Sequence, residues 1–208
     1  MTVRITSIAV RLRGTSAVRN FTFELPLAVL TAPAAGGKTI LLDAMRSAAA
    51  MTQAPQDVVD VEIHGPWDIN HDRSALMFPL RDGEWLTPSA ELSANDPDHD
   101  LLEALWPRDK PIARRQEFSL PTQERFLLNF ARLLSLRRRL GSFPLVLDAP
   151  LSVLDRANAA RLVGALQREN GQVILLEKPE RIGTFSSDWK RGSLDLADGL
   201  EALLPATP

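Results

Sequence analysis

Residues 32–39 are the stretch of the chain whose residue types and spacing most clearly indicate a chemical role. This stretch of small residues ends in a lysine and a threonine: Ala32, Pro33, Ala34, Ala35, Gly36, Gly37, Lys38 and Thr39. Small residues let the backbone curl so that successive N–H groups point inward at phosphate oxygens. A lysine at this spacing reaches the last phosphates of a nucleotide, and the next hydroxyl binds Mg²⁺. The spacing therefore predicts a phosphate-binding loop, which Ile40 follows directly.

The flanking residues supply the elements that such a loop needs. Residues 27–30 form a short apolar run typical of a buried strand, and residues 38–50 have the apolar spacing of a helix. The helix N-terminus adds a positive dipole worth up to about 2 kcal/mol to an anion. We interpret residues 32–39 as a P-loop in which Ala32 stands where glycine is commonest.

A carboxylate ends a second apolar run. Residues 144–147 predict a short buried strand, and Asp148 follows it. A carboxylate in this position is suited to orient Mg²⁺. Residues 173–176 predict a third buried strand, and in a parallel sheet this strand is expected beside one of the other two.

The remaining patterns predict an α/β fold in a single domain, residues 1–208. Residues 3–13 alternate apolar and polar, and the alternation returns at 21–25, which predicts an antiparallel hairpin. Helices are expected from Pro121 onward and over 156–168, and a last strand around 194–196. Strands that alternate with helices predict a mainly parallel sheet with helices on both faces.

The segment at about 51–118 is predicted to be a small insert. Its expected elements are strands over 57–64 and 75–80, a hairpin turn at Asp82-Gly83 and one short helix over 100–106. The acidic run from Asp96 to Asp100 is interpreted as a solvated loop. The histidines are interpreted as surface residues; they are His64, His71 and His99.

Composition excludes several classes of protein. With 45% hydrophobic and 24% charged residues, the chain of 208 residues is typical of a globular protein with its own core. The absence of cysteine excludes disulfides, thiol catalysis and cysteine-bound zinc. No apolar run is long enough to insert in a membrane, and the first residues do not resemble a signal peptide, so we expect a cytoplasmic protein.

Arginines form two clusters, although the net charge is only −2. One cluster comprises Arg4, Arg11, Arg13 and Arg19, and the other comprises Arg137, Arg138 and Arg139. Each is either a local phosphate-binding patch or a solvated face.

Three stretches resemble the ABC-type ATPases, and the first resembles their SMC/RecF/RecN branch in particular. They are TAPAAGGKTILLDAM (31–45), LVLDAPLSVLD (145–155) and LDLADGL (194–200). The resemblance covers residues 3–50 and 115–200. It implies a P-loop NTPase fold with an N-terminal antiparallel β-subdomain, and ATP and Mg²⁺ as ligands. It also implies that ATP closes two heads into a homodimer, or into a heterodimer with another ATPase head.

The chain departs from the family pattern at three positions. Ala149 stands where the family has the glutamate that polarises the attacking water. The signature loop before the Walker-B strand is degenerate: residues 119–125 lack its glycines, although Thr122 and Gln123 could still donate hydrogen bonds to a phosphate. The switch histidine is replaced by Glu177 and Lys178. We hypothesise that Glu177 faces the γ-phosphate and orients water in place of the residue missing at 149.

Three functions follow as alternatives. The first is an SMC/RecF-like ATPase head in a DNA-associated complex of repair, maintenance or defence, with weak or partner-dependent hydrolysis and an arginine-rich hairpin facing DNA. The second is a regulatory module that binds nucleotide without hydrolysing it, which Ala149 favours. The third is the ATPase subunit of a transporter, which the lost signature and the absence of tyrosine disfavour.

Overall fold

A computed structural model describes residues 4–13, 18–23, 25–33, 36–49, 58–65, 94–106, 120–141 and 143–194. Within these ranges, the strands form two sheets, and helices pack against them. The strands are β1 (Ser7–Leu12), β2 (Val18–Thr22), β3 (Leu27–Thr31), β4 (Val58–His64), β5 (Leu145–Asp148), β6 (Val173–Glu177) and β7 (Lys190–Ser193). The helices are α1 (Lys38–Ala49), α2 (His99–Leu105), α3 (Thr122–Leu140) and α4 (Arg156–Arg168), with a 3-10 helix over Pro179–Thr184.

The larger sheet is parallel, with the strand order β5-β6-β3-β7. Its central strands are continuous apolar runs because helices cover both faces, and every residue of β5 and β6 is buried. The sequence placed β6 beside the P-loop strand or the Asp148 strand, and it lies between the two. The carboxyl ends of β3, β5 and β6 therefore meet at one edge of the sheet, which confirms the predicted α/β class.

The smaller sheet is antiparallel, with the order β2-β1-β4. The period-two pattern of β1 buries Ile8, Val10 and Leu12 and directs Ser7, Ala9 and Arg11 to the other face. The predicted N-terminal hairpin is confirmed. Its third strand, β4, comes from the segment that the sequence predicted as an insert.

One glutamine joins the two sheets. The Ile5 N–H donates to the Gln172 side-chain oxygen at 2.7 Å, and the Gln172 amide donates back to the Ile5 carbonyl at 2.8 Å. Gln172 directly precedes β6 and is almost completely buried. The start of the antiparallel sheet is therefore fixed to the parallel sheet at the end of β6 opposite the edge where the carboxyl ends of β3, β5 and β6 meet.

Helix α3 has the buried apolar stripe that its sequence predicts. Phe126, Phe130 and Leu134 are buried in the common core, which Leu162 and Leu166 of α4 also enter. Gly141 ends α3 in the left-handed conformation that glycine adopts without strain, at φ 106°.

The solvated-face interpretation holds only in part for the second arginine cluster, because Arg138 and Arg139 are exposed whereas Arg137 is buried. Arg137 is completely buried and donates to the carbonyl of Phe143 at 2.8 Å. Arg138 binds Glu169 at 2.6 Å and Asp100 at 2.8 Å. These guanidinium groups join α3 to α4 and α2, and desolvation lowers the pKa of Arg137 to about 10.

Two further predictions need correction. The acidic run is not only a solvated loop, because Asp98 and Asp100 pair with Arg138 and the Asp98 N–H donates to the Ser135 hydroxyl. Arg4 differs from the rest of its cluster, since it donates to the Phe23 carbonyl at 2.6 Å and is half-buried.

The last strand of the described residues is β7, Lys190–Ser193, which ends just before the strand predicted around 194–196. Because β7 is an edge strand, it can have a charged sequence, and the search for apolar runs therefore did not detect it. The expected strand over 75–80, the turn at Asp82-Gly83, His71 and residues 195–200 lie outside the described residues.

Candidate functional site

The predicted phosphate-binding loop, residues 32–39, lies between the end of β3 and the start of α1, as the sequence predicted. Ala34 and Ala35 lie outside the described residues. A Cβ atom on Gly36 would lie 2.7 Å from the Ala32 Cβ and 2.9 Å from the Pro33 Cδ. Gly37 has a φ of 85°. The loop therefore requires glycine at 36 because Ala32 fills that space, and it favours glycine at 37 for its backbone conformation.

Lys38 folds back over its own loop. Its ammonium donates to the carbonyls of Ala32 and Pro33 at 2.9 and 2.8 Å. Burial lowers the pKa of Lys38, while the negative charges of Asp148 and Glu177 act in the opposite direction. The amine is thus held at the mouth of the loop by weak neutral acceptors, which an anion can replace.

Thr39 and Asp148 meet although 109 residues separate them in sequence. The Thr39 hydroxyl donates to Asp148 Oδ2 at 3.1 Å. Both oxygens are hard donors of the kind that Mg²⁺ prefers, and Mg²⁺ in nucleotide sites takes its other ligands from water and phosphate. In the described ranges, no group of three or more histidine or acidic side chains converges.

Glu177 lies at the predicted end of β6, and its side chain is completely buried. The Leu151 N–H donates to its Oε1 at 2.8 Å, and the Lys178 N–H donates to its Oε2 at 3.2 Å. The pKa of Glu177 is raised to about 7, mainly by desolvation and slightly by the charge of Asp148, against the lowering effect of these hydrogen bonds and of Arg181. The carboxylate holds the turn after β5 in place, and it titrates near neutral pH.

Ala149, the residue without the expected carboxylate, adopts an unusual backbone conformation. Its φ is 45°, in the left-handed region, and no other non-glycine residue in the described ranges has a positive φ. Its N–H donates to the Leu176 carbonyl at 2.8 Å, and its own carbonyl accepts from the Ser152 N–H at 2.9 Å. This tight turn leads the chain from Asp148 to Leu151, which Glu177 holds.

The segment that the sequence predicted to be a degenerate signature lies at the start of α3, where residues 120–125 are described. Pro121 precedes the helix, and Thr122 is exposed. The Gln123 side-chain oxygen accepts from the Asp155 N–H at 3.1 Å and from the Asn158 amide at 2.9 Å. A backbone N–H can only donate, so the oxygen of Gln123 faces Asp155 and its NH₂ group points away.

The structure thus brings together one group of predicted residues and separates a second. Lys38, Thr39, Asp148 and Glu177 surround the carboxyl ends of β3, β5 and β6, and Ile40 continues α1 behind them. Among the described residues, no hydrogen bond joins Thr122 or Gln123 to this group. Sequence reasoning gave Leu151 no part in the site, because its contribution is a backbone N–H.

These elements define a P-loop α/β domain whose candidate site lies at the carboxyl ends of the parallel strands. The fold is that of the ABC-type ATPase domains, including those of the SMC branch. Two of the similar solved structures are an SMC head domain from Thermotoga maritima and a dimeric bacterial ABC transporter cassette, MJ0796. The first has 14% identity and a TM-score of 0.51, and the match covers 85% of this chain and 90% of that one. The second has 13% identity and a TM-score of 0.50, with coverage of 90% and 96%.

A third similar structure is described as a putative cobalt transport ATP-binding protein. It has 15% identity and a TM-score of 0.50, and the match covers 93% of this chain and 76% of that one. No family profile and no curated protein matches the sequence. Among the described helices, none is both long enough and apolar enough to cross a membrane.

Proposed function

We propose that this chain is an ATP-binding ATPase head of the SMC/RecF type, which dimerises on ATP and acts in a DNA-associated complex. The observation that carries the proposal is the contact between Thr39 and Asp148 beside the folded Lys38. A phosphate on the loop would take over the Lys38 ammonium from two carbonyls. The hydroxyl and carboxylate, 3.1 Å apart, would hold Mg²⁺ on the same nucleotide.

Hydrolysis by the isolated head is weak in this proposal. Ala149 supplies no carboxylate, and a missing general base typically costs about 10²–10⁴-fold in rate. Glu177 is the proposed replacement because it lies at the same sheet edge with a pKa near the working pH. Each of its oxygens accepts one backbone N–H and keeps a second lone pair, but the side chain is completely buried, so it must become accessible before it can orient water. In this proposal, the closure of a partner head onto this one drives the movement that lets Glu177 contact water.

Dimerisation and DNA binding rest on different surfaces. The NH₂ group of Gln123 and the hydroxyl of the exposed Thr122 would donate hydrogen bonds to a phosphate bound on a second head. Arg11, Arg13 and Arg19 are exposed on the antiparallel sheet and its turns, where they can contact DNA phosphates. Glu62 is exposed beside Arg11 on the same sheet, so the expected affinity for DNA is modest.

Two other functions have specific support. The alanine at 149 favours a nucleotide-dependent regulatory module that does not hydrolyse ATP. The likeness to a transporter cassette and a putative cobalt transport ATP-binding protein favours the ATPase subunit of a transporter. ATP-dependent association with a membrane permease would select the transporter function, and a salt-dependent shift of DNA mobility would select the first proposal.

A single-turnover experiment tests nucleotide binding and hydrolysis together. Excess protein is mixed with labelled ATP and Mg²⁺, and both retained nucleotide and released phosphate are followed, with Lys38→Ala as the control. Lys38-dependent phosphate release supports the ATPase head. Retention without release supports the regulatory module, and equal retention by the wild type and Lys38→Ala contradicts nucleotide binding at this loop.

Light scattering tests dimerisation in the same preparation. The ATPase head is expected to double its mass with ATP and Mg²⁺ and to stay monomeric with ADP. A mass that does not respond to nucleotide would contradict ATP-driven dimerisation while leaving binding intact.

A further inference from the structure

We propose that Gln123 is a positioning residue for the site on its own head, besides the phosphate contact proposed above for its NH₂ group. Its side-chain oxygen fixes residues 149–155, which connect β5 to α4 and are called here the β5–α4 segment. This inference rests on the proposed function, because the segment follows Asp148 directly and is held by Glu177. The way in which α4 is capped supports this role.

Helix α4 has only half of a capping box within its own first turn. Asp155 is the N-cap residue, and its carboxylate accepts from the Asn158 N–H at 2.8 Å. In a complete capping box, a glutamate or glutamine at the position of Asn158 accepts from the N-cap N–H in return. The Asn158 side chain instead donates to Asp155 Oδ2 at 3.1 Å. The Asp155 N–H is therefore left for an acceptor from outside the helix.

Gln123 of α3 supplies that acceptor. Its Oε1 accepts from the Asp155 N–H at 3.1 Å and from the Asn158 amide at 2.9 Å. One oxygen thus completes the cap of α4 from another helix, although 32 residues separate Gln123 from Asp155. Loss of the Gln123 side chain removes an acceptor that two donors share, and the Asn158 side chain is buried.

The β5–α4 segment is tightly folded between its two ends. The Ser152 N–H donates to the Ala149 carbonyl at 2.9 Å. Two residues further on, the Leu154 N–H donates to the Leu151 carbonyl at 3.3 Å, and both leucine side chains are buried in the core. Because the two turns follow each other directly, Ala149 and the cap of α4 cannot shift independently.

The other end of the segment is fixed to the candidate site. The Leu151 N–H donates to Glu177 Oε1 at 2.8 Å. Asp148, which shares the proposed metal position with Thr39, directly precedes the segment. Gln123 therefore holds one end of a segment whose other end contacts the carboxylate proposed to orient water.

The two ends of the Gln123 amide have separable roles. Its oxygen is fixed by donors of its own head, and its NH₂ group points away from them. Truncation of the side chain removes both roles. A glutamine at position 158 would supply the missing acceptor from within α4 and so restore only the first role.

Amide hydrogen exchange tests the positioning role in the nucleotide-free chain. Gln123→Ala should speed exchange of the Asp155 and Leu151 N–H groups about tenfold, the factor that corresponds to a typical helix cap. Addition of Asn158→Gln completes the local capping box, so the double variant should return both N–H groups to within about threefold of the wild type. Gln167→Ala, near the other end of α4, is the matched control and should leave both unchanged.

Single-turnover phosphate release tests the consequence for the proposed reaction. We expect Gln123→Ala to slow release about tenfold, because small displacements near the reacting groups lower the rate strongly. Retained ATP should stay within about twofold of the wild type, since the P-loop is unchanged. The double variant with Asn158→Gln should recover release to within about threefold, although it has no amide at position 123.

The outcomes separate this inference from the function on which it rests. Unchanged exchange at Leu151 in Gln123→Ala overturns the inference, and so does release that stays slow in a double variant whose exchange is restored. If the wild type shows no Lys38-dependent release, the proposed ATPase function falls, and exchange at Leu151 alone then supports or overturns the positioning role. Thermal unfolding of each variant distinguishes a local change from a general loss of stability.

Discussion

The hydroxyl of Thr39 donates to Asp148 at 3.1 Å and joins the first helix of the chain to the end of β5. Thr39 lies at the start of α1, at the end of a motif that a local pattern identifies. Asp148 ends an apolar strand far along the chain. Their contact is what makes the two patterns one site. It also indicates where a metal would lie, because the two oxygens are close enough together to bind one ion.

Removal of the Thr39 hydroxyl should weaken ATP binding only when Mg²⁺ is present. Thr39→Val keeps the shape of the side chain and removes one metal ligand, so we expect about a tenfold weaker affinity with Mg²⁺ and no change in EDTA. Titration calorimetry with and without the metal measures both. Thr31→Val is the matched control, since the Thr31 hydroxyl only donates to the Gly192 carbonyl at 3.3 Å. An equal loss in EDTA would contradict a metal-binding role.

Gly36→Ala should abolish nucleotide binding through a steric clash with Ala32. The added Cβ would lie 2.7 Å from the Ala32 Cβ, which forces the loop to open. The double variant Ala32→Gly with Gly36→Ala removes that contact and should recover part of the binding, while the Pro33 contact at 2.9 Å keeps recovery incomplete. Gly183→Ala, which meets nothing within 4 Å, is the control. The absence of any recovery in the double variant would show that the clash is not with Ala32.

Ala149→Glu should increase phosphate release. The new carboxylate would follow Asp148 at the position where the family resemblance expects a glutamate, and a general base contributes about 10²–10⁴-fold. Ala149 already has a left-handed backbone, so a glutamate there adds little strain beyond what the alanine bears. Single-turnover release is compared with that of Ala149→Gln, which has the same size and no base. Equal rates for the two variants would show that position 149 does not face the attacking water.

Local patterns sufficed for the loop and the strands but not for what the arginines do. The P-loop, Asp148 and the three apolar strands each depend on residues adjacent in sequence, and the structure places all of them as predicted. The partners of Arg138 are Glu169, Asp98 and Asp100, which are 31–40 residues away. A sequence pattern shows the charge of an arginine but not which distant carboxylate the fold brings to it.

The full order of the strands was hidden for a similar reason. The sequence predicted β6 beside β3 or β5, and only the structure shows that it lies between them. Likewise, alternation identified β4 as a strand, but only the structure shows that it pairs with β1. The pattern of a strand sets its faces, whereas its neighbours are set by the path of the whole chain.

Glu177→Gln should change how stability depends on pH. The Glu177 pKa is raised from 4.5 to about 7, so between these values the folded chain binds more protons than the unfolded chain. Its contribution to stability is therefore fully present below pH 4.5 and is lost as the pH rises through 7, on the order of 3 kcal/mol in total. Urea unfolding of both proteins from pH 5 to 8 isolates this effect. A difference between them that stays constant with pH would contradict the raised pKa.

Glu169→Gln should destabilise the chain much more than Asp100→Asn, although both residues bind Arg138. The Glu169 side chain is 2% exposed and binds Arg138 at 2.6 Å, with Arg137 3.9 Å away, whereas Asp100 is 65% exposed. Without that carboxylate the buried Arg137 has no counter-charge within the described part of the chain, so we expect a loss of about 2–4 kcal/mol in unfolding free energy. Asp100→Asn should cost less than about 1 kcal/mol, and that cost should shrink in 1 M salt. Equal costs would mean that Arg137 does not depend on Glu169, and that the cluster joins α3 to α2 rather than to α4.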